Sequence, residues 1–137
     1  MSYNPLTILM ADDDFEDMEL MEDAIAKVEP KAVLHKVSSG MAAINYLRSQ
    51  PESELPCLII LDYNMPGLKG SEVLALICKD HRYKNIPKVI LSTSDTKAFI
   101  EECIHNGATE YFVKPGNLDD LLGIAKRMLE YCDNTAN

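Results

Sequence analysis

Basic residues are scarce in this chain. Thirteen lysines and arginines stand against twenty-two aspartates and glutamates, for a net charge of −9. That deficit excludes the basic stripe with which a protein neutralises nucleic-acid phosphates, so no nucleic-acid partner is expected. Long apolar runs are missing too. None approaches the ~20 residues of a bilayer-spanning helix, and the first five residues lack the basic start and apolar stretch of a signal peptide. No membrane association and a cytoplasmic location are the expectation. Cys57, Cys78, Cys103 and Cys132 include no C-x-x-C pair, which speaks against a zinc site or a disulfide scaffold. Reduced thiols packing as small apolar side chains are expected instead. There is no internal repeat, low-complexity segment or second domain. At 137 residues the chain can bury a core as one domain, spanning 1–132 with 133–137 as a frayed C-terminal tail.

Strand-like and helix-like segments alternate throughout. Leu6 to Ala11 is a short apolar run stopped by three aspartates. Met18, Met21, Ala24, Ile25 and Val28 then recur at helical spacing up to Pro30. Ala32 to Val37 reads as a second strand, and Ser38-Ser39-Gly40 as a turn and cap before a helix carrying Met41, Ile44 and Leu47. Cys57 to Leu61 is apolar on both faces, as a parallel sheet covered on both sides requires. A helix follows through Val73, Leu74 and Ile77, then a strand from Lys88 to Leu91. A helix from Thr96 to His105 stops at Asn106-Gly107. Tyr111-Phe112-Val113 is the fifth strand, and Asn117 to Asp120 resembles a capping box for the last helix. The pattern predicts a doubly wound α/β fold with a five-stranded parallel sheet, (βα)5 and flavodoxin-like.

In open α/β sheets, ligands bind beyond the carboxyl ends of the strands. There this sequence puts Asp12, Asp13 and Asp14 after the first strand and Asp62 after the third. Ser92 and Thr93 follow the fourth, and Lys114 the fifth. Gathered carboxylates raise one another's pKa unless a cation joins them, and Mg²⁺ suits a few carboxylates, waters and phosphate oxygens. Asp62 is a plausible nucleophile toward phosphorus. Lys114 and Ser92 could neutralise and bond the phosphoryl oxygens. Asp14 is better explained as a helix-start acid. His35, His81 and His105 lie apart from one another and from the acids, and fit surface or strand positions.

Four segments together resemble the receiver-domain signatures of bacterial two-component response regulators. They are Ile8-Leu9-Met10-Ala11-Asp12-Asp13, Leu58-Ile59-Ile60-Leu61-Asp62-Tyr63-Asn64-Met65-Pro66-Gly67, Val89-Ile90-Leu91-Ser92 and Tyr111-Phe112-Val113-Lys114-Pro115. The resemblance covers about Leu6 to Leu129. It implies that Asp62 is the phospho-acceptor and that Mg²⁺ is held by Asp12, Asp13, Asp62 and the Asn64 backbone carbonyl. Asp13 would be the more direct ligand of the acidic pair. Ser92 takes the switch-hydroxyl position and Lys114 the phosphate-contacting one, with a cis bond to Pro115. Tyr111 matches the aromatic whose rotamer reports phosphorylation; its alternative is an edge-strand ring with no signalling role.

The resemblance further implies a phosphoryl-accepting signalling switch rather than an enzyme with turnover. Its donor would be a sensor histidine kinase or a histidine phosphotransfer protein, and its output contact with an unidentified downstream protein. Asp14-Phe15-Glu16-Asp17 and Val37-Ser38-Ser39-Gly40 are similar to single-domain receivers serving phytochrome-type and related kinases. A monomer and a homodimer through the last helices both fit. Two other functions compete: an aspartyl phosphatase, against which Asn64 stands where a second acid is needed, and a receiver-like module that no longer takes phosphate.

Overall fold

Which residues are apolar on both faces decides which strands lie at the centre of this sheet. The computed structural model describes residues 6–135, with side chains through 132. Its strands are β1 (Thr7–Ala11), β2 (Val33–Val37), β3 (Leu58–Leu61), β4 (Lys88–Ser92) and β5 (Glu110–Val113). Its helices are α1 (Phe15–Val28), α2 (Gly40–Ser49), α3 (Gly70–Cys78), α4 (Lys97–His105) and α5 (Leu118–Thr135). All strand pairs are parallel, in the order β2-β1-β3-β4-β5. This is the doubly wound, flavodoxin-like arrangement the sequence predicts. Every residue of β3 and β4 is buried, whereas the edge strands β2 and β5 keep residues partly or fully exposed.

Alternation along the strands splits the core into two layers. Ile8, Met10, Leu58, Ile60, Val89 and Leu91 face Met18, Met21 and Ile25 of α1 and Ala125 and Met128 of α5. Leu9, Ala11, Ile59, Leu61 and Ile90 face Ile44 and Leu47 of α2, Val73 and Leu74 of α3, and Cys103 of α4. Because β1 continues to β2 on one side and the chain then returns to β3 on the other, a crevice opens where the carboxyl ends of β1 and β3 adjoin.

Side chains fix the helix starts. Asp14 caps α1 by accepting from the Asp17 backbone N–H, and Ser39 caps α2 by accepting from that of Ala42. Asn117 accepts from the Asp120 backbone N–H at 2.9 Å, as the capping-box reading anticipates. Just past the end of α4 lies Gly107, whose φ of +115° is in a region that L side chains avoid. Gly70 opens α3 against the loop after β3, and a Cβ there would collide with the Asp62 carbonyl oxygen.

Two sequence expectations are corrected. Cys57 and Cys132 are not reduced thiols but a disulfide, with Cα atoms 5.0 Å apart across a separation of 75 residues. The parallel sheet brings the residue before β3 against the last turns of α5, a proximity that spacing cannot reveal; Cys78 and Cys103 are free. The Lys114–Pro115 bond is trans, since no cis peptide occurs among the described residues. α5 spans Leu118–Thr135, and 136 and 137 lie outside the described residues. His35, His81 and His105 are all exposed, as expected. No helix among the described residues is long and apolar enough to cross a membrane.

The tight seat of Gly70 carries a prediction. Gly70→Ala must push α3 away from the Asp62 loop, and we expect a loss of about 2 kcal/mol in urea denaturation.

Candidate functional site

The sheet ladder continues one residue beyond its strands, and those extra residues carry the site. The Asp12 backbone N–H donates to the Val37 carbonyl at 3.1 Å, that of Asp62 to Ala11 at 3.0 Å, and that of Lys114 to Ser92 at 2.7 Å. Each side chain therefore leaves a backbone already held by its neighbouring strand. Asp12 is fully buried, Asp62 is 6% exposed and Ser92 is fully buried, whereas Asp13 is exposed.

Asp12, Asp13 and Asp62 each present a carboxylate oxygen within 4.8 Å of the others. Among the described residues, one cation approaches this cluster. Lys114 Nζ lies 2.9 Å from Asp12 Oδ2, 2.7 Å from Asp17 Oδ2 and 3.6 Å from Asp62 Oδ2. The second Asp12 oxygen accepts from the Asp14 backbone N–H at 2.8 Å. Burial opposes the Lys114 charge, but bonds to Asp17 and Asp12 and the nearby Asp62 carboxylate raise its pKa above the usual lysine value.

One ammonium does not balance the cluster. Burial first, then the Asp12 charge, pushes the Asp62 carboxyl up to about 7, against the opposing pull of Lys114 and a backbone hydrogen bond from Asn64. A carboxyl so destabilised as an anion is one that a further cation would restore. The donors are all hard oxygens, which fits Mg²⁺ or Mn²⁺ and not a thiolate- or imidazole-seeking metal.

Ser92 and Tyr111 meet at a third residue. Ser92 Oγ accepts from the Ser94 backbone N–H at 3.2 Å, and the Tyr111 hydroxyl donates to the Ser94 carbonyl at 2.7 Å. The loop leaving β4 is thus held through Ser94 from both sides. Asn64 is exposed in the loop after β3. Between them, Tyr63 is buried, stacks on Phe99 with ring centroids 4.4 Å apart, and donates to Glu102 Oε1 at 2.6 Å. Burial and the Glu102 bond push its phenol up to about 12. Ser71 donates to the other Glu102 oxygen at 3.0 Å.

Asp12, Asp13, Asp62 and Lys114 thus come together as the sequence predicts, with Ser92 and Tyr111 closing the neighbouring loop. Sequence reasoning missed Asp17 as the second carboxylate on Lys114. The available signal was its position in the first turn of α1, three residues after the Asp14 cap, which sets it above the same edge. It also missed the Tyr63–Glu102–Ser71 group, because nothing in the sequence pairs a loop tyrosine with a helix acid 39 residues away. Asp14 caps its helix, as its better-supported reading has it.

The raised Asp62 pKa makes stability depend on pH. Between the ordinary carboxyl value of 3.8 and about 7, the folded chain holds a proton that the unfolded chain has released. The contribution is full below the lower value and is lost as pH rises through the upper one. With divalent cations chelated, Asp62→Asn should raise stability at about pH 8 by on the order of 2 kcal/mol and little at about pH 4, read by urea denaturation.

Comparison with known proteins agrees with this geometry. The family model described as the response regulator receiver domain matches residues 8–126. The two-component response regulator ARR9 of Arabidopsis thaliana is 31% identical over 140 residues, a match covering 90% of this chain and 59% of that protein. The chain thus spans about three-fifths of the length of that relative. The crystal structure of the phosphorylated cyanobacterial phytochrome response regulator RcpA superimposes with a TM-score of 0.85 and 34% identity, covering 98% of each chain. The Mn²⁺-bound form of response regulator Rcp1 does so at 0.78 and 32%, covering 90% of this chain and 91% of that one. With its family signature running from β1 into α5 and its acids, hydroxyl and lysine at one edge of the sheet, the chain belongs to the response regulator receiver domains.

Proposed function

We propose that this protein is a phosphoryl-accepting switch in which Asp62 is the acceptor and Asp12, Asp13, Asp62 and the Asn64 backbone carbonyl hold Mg²⁺. The observation that carries the reading is the buried Asp62 carboxyl, raised to about 7 among like charges and 3.6 Å from Lys114. The donor we infer is a phosphohistidine on a sensor histidine kinase or histidine phosphotransfer protein. Likeness to RcpA along almost its whole length supports a kinase of the phytochrome-type or a related class. The output is contact with a downstream protein.

In this reading an Asp62 Oδ attacks phosphorus in line. The new O–P bond forms as the P–N bond to the donor histidine breaks, and the imidazole nitrogen keeps the electron pair and takes a proton. Bound Mg²⁺ would keep Asp62 ionised and neutralise phosphoryl charge. Lys114 is already at the rim and needs only to exchange a carboxylate partner for a phosphoryl oxygen. Ser92 would turn its hydroxyl to donate to another. Doing so disturbs the bond it accepts from Ser94, whose carbonyl anchors Tyr111. Phosphorylation thereby biases the loop before α4 and the β5 edge, a population shift of an existing element rather than a new fold.

Incubation with acetyl phosphate and Mg²⁺ should add one phosphoryl group per chain by intact mass, and none to Asp62→Asn. No addition to folded protein, or addition that persists in the variant, would overturn the acceptor assignment. Asp13→Ala should weaken Mg²⁺ binding on the order of tenfold or more, measured by calorimetric titration.

A further inference from the structure

The Cys57–Cys132 bond lies at the end of the sheet opposite the carboxylate cluster. Cys57 immediately precedes β3 and Asp62 immediately follows it. The bond forms part of the wall of an open cleft of about 280 Å³, bordered also by Leu6, Leu55, Pro56 and Ile86. Cys57 is partly exposed, whereas Cys132 is fully buried. The family match ends at residue 126, and α5 continues to Thr135. The disulfide therefore ties the last turns of α5 to the start of the central strand β3. Nearby, Arg127 and Tyr131 both bond Glu110 at the start of β5. These polar contacts hold the same helix end to a different strand.

We propose that Cys57 and Cys132 are a reversible thiol–disulfide exchange site for a low-molecular-weight thiol of the glutathione class, whose state sets whether the end of α5 is tied to the sheet. The cleft admits the small thiolate to the side of the bond that carries the partly exposed Cys57. Its attack on Cys57 Sγ forms a mixed disulfide and releases Cys132 as a thiolate, because access selects the sulfur attacked. A second small thiolate then attacks the small-molecule sulfur of that mixed disulfide and frees Cys57. Two small thiols become one small disulfide, and their two protons pass to the two protein thiolates. The reverse sequence, starting from the oxidised small disulfide, closes the bond. With the bond open, α5 keeps its packing on α1 and its Glu110 contacts, but its last turns lose their covalent link to β3.

The test uses the full chain equilibrated in glutathione buffers of graded ratio, then denatured and alkylated. Peptide mapping should find Cys57 and Cys132 joined at the oxidising end and both alkylated at the reducing end. Both alkylated throughout would overturn the proposal, as would both joined throughout. Hydrogen exchange on the same wild-type samples should accelerate at least tenfold over 127–135 on reduction; unchanged exchange there would overturn the tether. Trapping wild-type protein during partial reduction should give a mixed disulfide mapping to Cys57. A Cys78→Ser variant, which removes the exposed free thiol and keeps the bond, should give the same map. A mixed disulfide found on Cys132 in place of Cys57 would overturn the order of attack.

Discussion

Surplus negative charge at the crevice between β1 and β3 is the constraint on which the rest of the site depends. Three carboxylates gather there, two of them with little or no contact with solvent, and the chain supplies one ammonium to answer them. Lys114 is shared among Asp12, Asp17 and Asp62, and it lies farthest from the carboxylate with the strongly raised pKa. The cluster is thus built short of one cation. A group that binds there and neutralises charge acts on a site already biased to receive it.

The scaffold contributes position. Functional side chains leave the sheet one residue after its last regular bonds, and those residues are still held by the neighbouring strand's carbonyls. Asp62 gains a further boundary from α3, whose first residue packs too closely on the Asp62 backbone to carry a side chain. The loop after β4 is different. Side-chain bonds of Ser92, Ser94, Thr96 and Tyr111 hold it, and none of these is a rung of the sheet. Rigid placement of the acids and conditional placement of that loop therefore arise from different kinds of hydrogen bond.

Much of this was legible in the sequence because it depends on short-range pattern. Cys57 to Leu61 announces a central strand by being apolar on both faces, and the strand-end rule then gathers Asp12, Asp13, Asp62, Ser92 and Lys114 without any coordinates. What escaped was set by packing between distant segments. The partnership of Cys57 with Cys132 requires knowing that α5 passes the start of β3. Asp17 meets Lys114 across 97 residues of sequence. The Lys114–Pro115 bond is trans although the family resemblance led to the opposite expectation; local sequence does not fix the isomer of an X–Pro bond, whose two forms differ little in free energy.

Asp62 and Tyr63 are adjacent in sequence yet serve opposite environments: one carboxyl joins the polar rim, and one ring stacks on Phe99 beneath α4. A strand displaced by a single residue would exchange those environments, because side chains alternate from one position to the next. The carboxylate would then lie in the apolar layer without a counter-ion, a cost far larger than that of a misplaced leucine. The acid that carries the proposed chemistry therefore also penalises sheets assembled out of register, and correct folding and a competent acceptor are selected by the same side chain.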